Sequence, residues 1–158
     1  MAEQGNRPEQ LEEGMLVEVP AVANNAAAFM PHGDFVSIGT NDLAQNALAA
    51  ERGNESVAHL ADALDPGVLR LIESVVVAAG GATRVAVCGE LAADLVAVPV
   101  LVGLGVDELS VNRFAVPGVK DEVRRWSQAD ATALAAEVIT LDSAAAVRAA
   151  IVEWRASK

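Results

Sequence analysis

Five polar residues set among apolar runs could do chemistry: Glu18, Asn41, Asp42, Arg52 and Cys88. Glu18 and Asp42 are carboxylates, and with oxygen from a substrate and from water they suit a hard octahedral cation such as Mg2+. Asn41 and Arg52 can hold anionic oxygens, the arginine in bidentate fashion. Cys88 can move a proton where its surroundings set the right pKa. The two histidines, His32 and His59, lie apart, so no His/Cys cluster points to zinc. Each residue also has a plainer use. Glu18 in an apolar run can be half of an ion pair, and Asn41-Asp42 fits an Asx turn or a helix N-cap. Arg52 can be a solvated surface residue, and Cys88 a small buried one. Glu90 reads as a structural hydrogen-bonding residue rather than a catalyst.

The elements that must position these residues are legible as short runs. Met15–Val19, ended by Pro20, and Phe35–Ile38, ended by Gly39-Thr40-Asn41-Asp42, are β-branched and short, which predicts strands. Arg84–Val87, meeting Cys88-Gly89-Glu90, and Glu108–Asn112 are expected as the third and fourth. A helix is expected over Val22–Phe29. Asp65 is a natural N-cap with Pro66 at the first helical position. Val68, Leu69, Leu71, Ile72, Val75 and Val76 follow as an apolar stripe stopped by Gly80-Gly81. Further helices are predicted at about Ala92–Leu101, from Pro117 to Trp126, at Ala129–Val138, and at Ala144–Arg155 behind Asp142 or Ser143.

The resulting β/α alternation implies parallel strands joined by right-handed crossovers. In such folds the carboxyl ends of the strands share one face, and that face holds the site. Glu18, Asn41-Asp42 and Cys88-Glu90 each fall near a strand end, so residues distant in sequence are expected to converge. Four β/α units are half of an eight-fold barrel, and they also make a small open sheet. Periodicity alone does not separate the two.

Composition bounds the function. The chain has 158 residues, 53% of them apolar, which is enough for one real core in a single domain. A net charge of -11 argues against binding nucleic acid or an anionic membrane through electrostatics. With one cysteine no internal disulfide is possible, which fits a reducing compartment. Residues 1–13 are read as a mobile polar leader with no signal-peptide core. The apolar stretch Leu95–Val106 is short and interrupted by Pro99, Gly103 and Gly105, so it reads as buried helix rather than a membrane span. A soluble cytoplasmic protein is expected.

At the strand ends a family resemblance becomes specific. Gly14-Met15-Leu16-Val17-Glu18-Val19-Pro20 resembles the G-x-M-V-E-x-P segment of the phosphoenolpyruvate–protein phosphotransferases, Enzyme I of the sugar phosphotransferase system. Asp34-Phe35-Val36-Ser37-Ile38-Gly39-Thr40-Asn41-Asp42-Leu43 is similar to D-F-F-S-I-G-T-N-D-L, and Cys88-Gly89-Glu90-Leu91-Ala92-Ala93-Asp94 to C-G-E-L-A-G-D. Arg52-Gly53-Asn54, His59-Leu60, Asp65-Pro66 and Val68-Leu69 continue the match. The resemblance runs from about residue 14 to the terminal helices. It implies a (β/α)8 TIM-barrel type fold, here the second half of the phosphoenolpyruvate-binding barrel over residues 14–158. It also implies roles: Glu18 and Asp42 as Mg2+ ligands, Asn41 and Asp42 at the substrate phosphate, Arg52 on phosphoenolpyruvate, and Cys88 as proton donor when pyruvate forms.

The family passes the phosphoryl group to a histidine and then to the small carrier HPr. Neither His32 nor His59 sits in the glycine-rich S-H segment that carries that histidine. The amino-terminal histidine domain and the first half of the barrel have no counterpart here, and Ala44-Gln45-Asn46 stands where the family usually has Thr-Gln-Tyr. The chain alone is therefore expected to be inactive, whether as a piece of a larger enzyme or a short homologue. A half-barrel exposes two sheet edges, so a homodimer closing one pseudo-barrel is expected. The alternatives are a non-catalytic binding or assembly module with a remnant site, and a piece of pyruvate phosphate dikinase or phosphoenolpyruvate synthase. Arg52-Gly53-Asn54 and the Leu91-Ala92-Ala93-Asp94 tail favour the Enzyme I resemblance over the last.

Overall fold

A computed structural model describes residues 11–51 and 53–157, apart from the side chain of His59. Four parallel strands form one sheet in the order β1 (Gly14–Val17), β2 (Phe35–Gly39), β3 (Arg84–Cys88), β4 (Glu108–Ser110). Sequence neighbours are sheet neighbours, the usual arrangement of successive β/α units, although the β2–β3 crossover carries more than one helix. Most of the leader, residues 1–10, lies outside the described residues.

The sheet has two unlike faces, and the register shows why. Met15 pairs with Val36 and Val36 with Val85, while Val17 pairs with Ile38, Ile38 with Val87 and Val87 with Leu109. Paired residues in a parallel sheet share a face, and side chains alternate along each strand. This aliphatic face is the core: Val17, Val36, Ile38, Val85 and Val87 are buried. It forms one core with the helices, including Val68, Leu69, Ile72 and Val75 of α3 (Pro66–Ala79) and Val100 and Leu101 of α5 (Val98–Leu104). The other face carries Leu16, Phe35, Ser37, Arg84, Ala86, Cys88 and Glu108, and Leu16 there is 53% exposed. A closed barrel would turn this second face inward.

The α3 helix keeps its expected signals. The Asp65 side chain accepts from the Gly67 amide at 2.7 Å, Pro66 stands at the first position, and Gly80 ends the helix with φ 58°. Elsewhere the boundaries depart from expectation. The helix expected over Val22–Phe29 is α1 (Pro20–Asn24) followed by 3-10 turns at Ala26–Ala28 and Met30–His32, because Asn25 leaves helical geometry. Thr40–Leu48 is a full helix, α2, with Asn41 and Asp42 in its first turn rather than at a turn or cap. The single helix expected over Ala92–Leu101 is α4 (Glu90–Ala93) and α5, parted where the Asp94 side chain accepts from the Val96 amide at 2.9 Å. The fourth strand stops short of Asn112, whose side chain accepts instead from the Phe114 and Ala115 amides. Terminal helices α6 (Val116–Arg124), α7 (Gln128–Val138) and α8 (Ala144–Ala156) follow. Ser127 and Ser143 cap the last two through their side chains. Among the described residues no helix is long and apolar enough to cross a membrane.

Candidate functional site

The carboxyl ends of β1, β2 and β3 bring Glu18, Asn41, Asp42 and Cys88 to one edge of the sheet. Gly39 pairs with Cys88 and Cys88 with Ser110, and Glu18 follows Val17, which pairs with Ile38. Glu18, Gly39, Cys88 and Ser110 thus form one row on the face away from the helices. A glycine is needed at position 39, since a Cβ there would stand 2.5 Å from Glu18 Oε1 and 2.6 Å from its Cγ. The Glu18 side chain therefore lies across the end of β2, toward the segment that begins α2.

Asp42 reaches the same neighbourhood by another route. It lies in the first turn of α2, where the helix N-terminus favours a carboxylate. One turn on, Asn46 donates from Nδ2 to the Glu18 carbonyl at 3.0 Å. Residues four apart share a helix face, so Asp42 is on the side of α2 that meets residue 18. Asn46 comes from the Ala44-Gln45-Asn46 stretch where the sequence departs from the family pattern, and nothing in a single sequence marks its use.

Asn41 is fixed in orientation. Its Oδ1 accepts from the Glu90 amide at 3.0 Å, which leaves Nδ2 as a donor to offer an anion. Gly89 permits this approach: its φ is 98°, and a Cβ there would stand 2.6 Å from Thr40 Oγ1 and 3.0 Å from Asn41 Oδ1. Thr40, fully buried, donates from Oγ1 to the Cys88 carbonyl at 2.8 Å. Thr40, Gly89 and the Glu90 amide are thus the joint between the ends of β2 and β3. The Glu90 side chain is exposed, so the residue acts here through its backbone.

The half-buried Cys88 thiol sits between two β2 groups. Ser37 Oγ donates to Sγ at 3.4 Å, and Sγ in turn faces the Ile38 carbonyl at 3.5 Å. A thiol that accepts from a hydroxyl and donates to a carbonyl has a defined direction. Arg52, expected at the substrate, lies outside the described residues. His32 is exposed in the turn before β2, at the opposite end of the strand from this edge.

The donor set can be tested against a metal. Among the described residues no three His, Cys, Asp or Glu side chains are grouped to hold an ion. Two carboxylate donors suit a hard cation such as Mg2+, which keeps waters and substrate oxygens in its shell, rather than structural zinc. A cavity of about 320 Å3 opens beside the edge, lined among others by Asn41, Asp62, Glu90, Asp94 and Arg148.

Comparison with known proteins gives a consistent result. Residues 1–128 match a family described as PEP-utilising enzyme, PEP-binding domain. The phosphoenolpyruvate-protein phosphotransferase of Haloferax volcanii is 51% identical over 137 residues, 86% of this chain and 24% of that protein. Proteins of the same name are 37% identical in Bacillus subtilis, over 92% of this chain and 26% of the relative, and 39% identical in Haemophilus influenzae, over 91% and 25%. The chain thus spans about a quarter of the length of these relatives.

Proposed function

This chain belongs to the PEP-binding domain family of PEP-utilising enzymes, and on that premise we propose that it supplies the phosphoenolpyruvate-binding edge of a phosphotransferase that sends the phosphoryl group to a protein histidine and releases pyruvate. The observation that carries this reading is the sheet edge, where Glu18 and Cys88 share one row beside an Asn41 amide oriented by the Glu90 backbone, with Asp42 in the adjoining first turn of α2.

In this reading Glu18 and Asp42 hold Mg2+, which when bound offsets the charge of the phosphate oxygens. Asn41 Nδ2 donates to a phosphate oxygen, an interaction preorganised by the Glu90 amide. Arg52 holds the substrate through its guanidinium. As the bond between phosphorus and the enol oxygen breaks, that oxygen keeps the electron pair and forms the pyruvate enolate. The Cys88 thiol then gives its proton to the methylene carbon, leaving a thiolate and the methyl group of pyruvate. The acceptor histidine would lie in a separate domain that passes the group on to an HPr-type carrier protein, since neither His32 nor His59 sits in a glycine-rich S-H segment.

The remaining half of a barrel is proposed to be met by association. Leu16 is exposed on the open face, and β1 and β4 are the outer strands of the sheet. A second copy of the chain set against these strands would cover both, and sedimentation at micromolar concentration giving only monomer would remove this part.

The chain alone is expected to bind substrate rather than turn it over. Calorimetric titration of the full chain with phosphoenolpyruvate is the test. Binding that requires Mg2+ supports the assignment. No heat with or without Mg2+, at concentrations up to millimolar, would leave an assembly module as the better reading.

A further inference from the structure

Arg148, on α8, lines the cavity beside the candidate site. Its guanidinium spans two aspartates from different segments. Nε donates to Asp62 Oδ2 and Nη2 to Asp62 Oδ1, both at 3.0 Å, while Nη1 donates to Asp94 Oδ2 at 3.0 Å. The fork geometry suits arginine, because a lysine ammonium cannot make a bidentate pair with one carboxylate while reaching a second.

Each aspartate is already committed to shaping its own segment. Asp62 Oδ1 accepts from the Leu64 amide at 3.0 Å, in the turn that leads to the Asp65 cap of α3. Asp94 Oδ1 accepts from the Val96 amide at 2.9 Å, at the break between α4 and α5. Through these two turns Arg148 fastens the segment before α3 and the end of α4 to each other. Helix α4 begins at Glu90, whose amide holds Asn41. Asn41, Glu90, Asp62 and Asp94 line the same cavity.

We infer that Arg148 is a positioning residue: clamping Asp62 to Asp94, it sets the cavity wall that keeps the Glu90 amide on Asn41, and so tunes the edge for an anionic substrate. This rests on the phosphoenolpyruvate reading above only for the identity of that substrate. Arg148 lies beyond the residues matched by the family, 1–128, so the clamp ties a terminal helix to the site from outside the matched region.

The test compares Arg148→Met and Arg148→Lys with the wild-type full chain by amide hydrogen exchange and by titration with phosphoenolpyruvate and Mg2+. In Arg148→Met the Leu64, Val96 and Glu90 amides should exchange at least about fivefold faster, while core amides such as Ile72 and Val87 keep their protection. Phosphoenolpyruvate should bind about tenfold more weakly, with lysine restoring only part of the loss. If Arg148→Met does not fold, Arg148→Lys carries the same comparison with smaller changes. Unchanged exchange at Glu90 would overturn the inference, as would wild-type affinity in a variant whose Leu64 and Val96 amides have loosened. A wild-type chain that binds no phosphoenolpyruvate would overturn the substrate assignment, and Glu90 exchange would still decide the role of Arg148.

Discussion

The Glu18 side chain lies over Gly39, on the neighbouring strand, so closely that a methyl group at position 39 would stand 2.5 Å from Oε1. The carboxylate and the bare backbone beneath it form one unit. Gly39→Ala must push Glu18 off the edge. The expected cost is about 1–3 kcal/mol of stability, the range for overpacking, read by urea denaturation. Mg2+-dependent binding of phosphoenolpyruvate should fall with it. A variant that kept full binding would show that the position of Glu18 is immaterial.

Glu18→Gln and Asp42→Asn keep shape and remove charge. Each is expected to weaken phosphoenolpyruvate binding in Mg2+ by about tenfold or more, while binding without the metal changes little. Calorimetry in the two conditions separates a metal ligand from a structural carboxylate, which would alter both equally or neither.

Cys88 is half-buried and bonded by Ser37 and Ile38 rather than closed off in the core. A substrate seated at the edge should cover it. Phosphoenolpyruvate with Mg2+ is expected to slow alkylation of Cys88 by iodoacetamide about fivefold or more. Alkylation at the same rate with saturating ligand would remove the thiol from the site.

Asp62 ties stability to pH. Burial opposes its ionisation but is outweighed by hydrogen bonds from the Arg148 guanidinium and the Leu64 amide and by the Arg148 charge, so its carboxyl sits below the ordinary value. A depressed carboxyl contributes stability that is complete above its unfolded-state pKa and is lost as pH falls through the folded one, here below about pH 4. Urea unfolding between pH 5 and 3 should therefore show a smaller acid-induced loss in Arg148→Met than in the wild type. Equal slopes would mean that the clamp does not hold the Asp62 proton equilibrium.

Much of the candidate site's placement was legible because its residues stand at punctuation marks. Glu18 before Pro20, Asn41-Asp42 after Gly39, and Cys88 before Gly89 each mark the end of an apolar run, and parallel strands put such ends together. The helix boundaries were less legible. Asp94 interrupts an apolar stretch with its own side chain, and Asn25 ends α1 early. In both places a local side-chain or backbone preference overrides the hydrophobic period, as short polar residues do.

The sequence by itself determined the strand runs, the parallel order and the chemical types available at the edge, because these follow from periodicity of two and from residue chemistry. Tertiary structure alone decided the partnerships: Gly39 under Glu18, Thr40 on the Cys88 carbonyl, the Glu90 amide on Asn41, and Arg148 between Asp62 and Asp94. These contacts join residues 20 or more apart in the chain, and Arg148 reaches 86 residues back to Asp62. No local pattern records such a pairing, since it arises only when separate segments pack around one core.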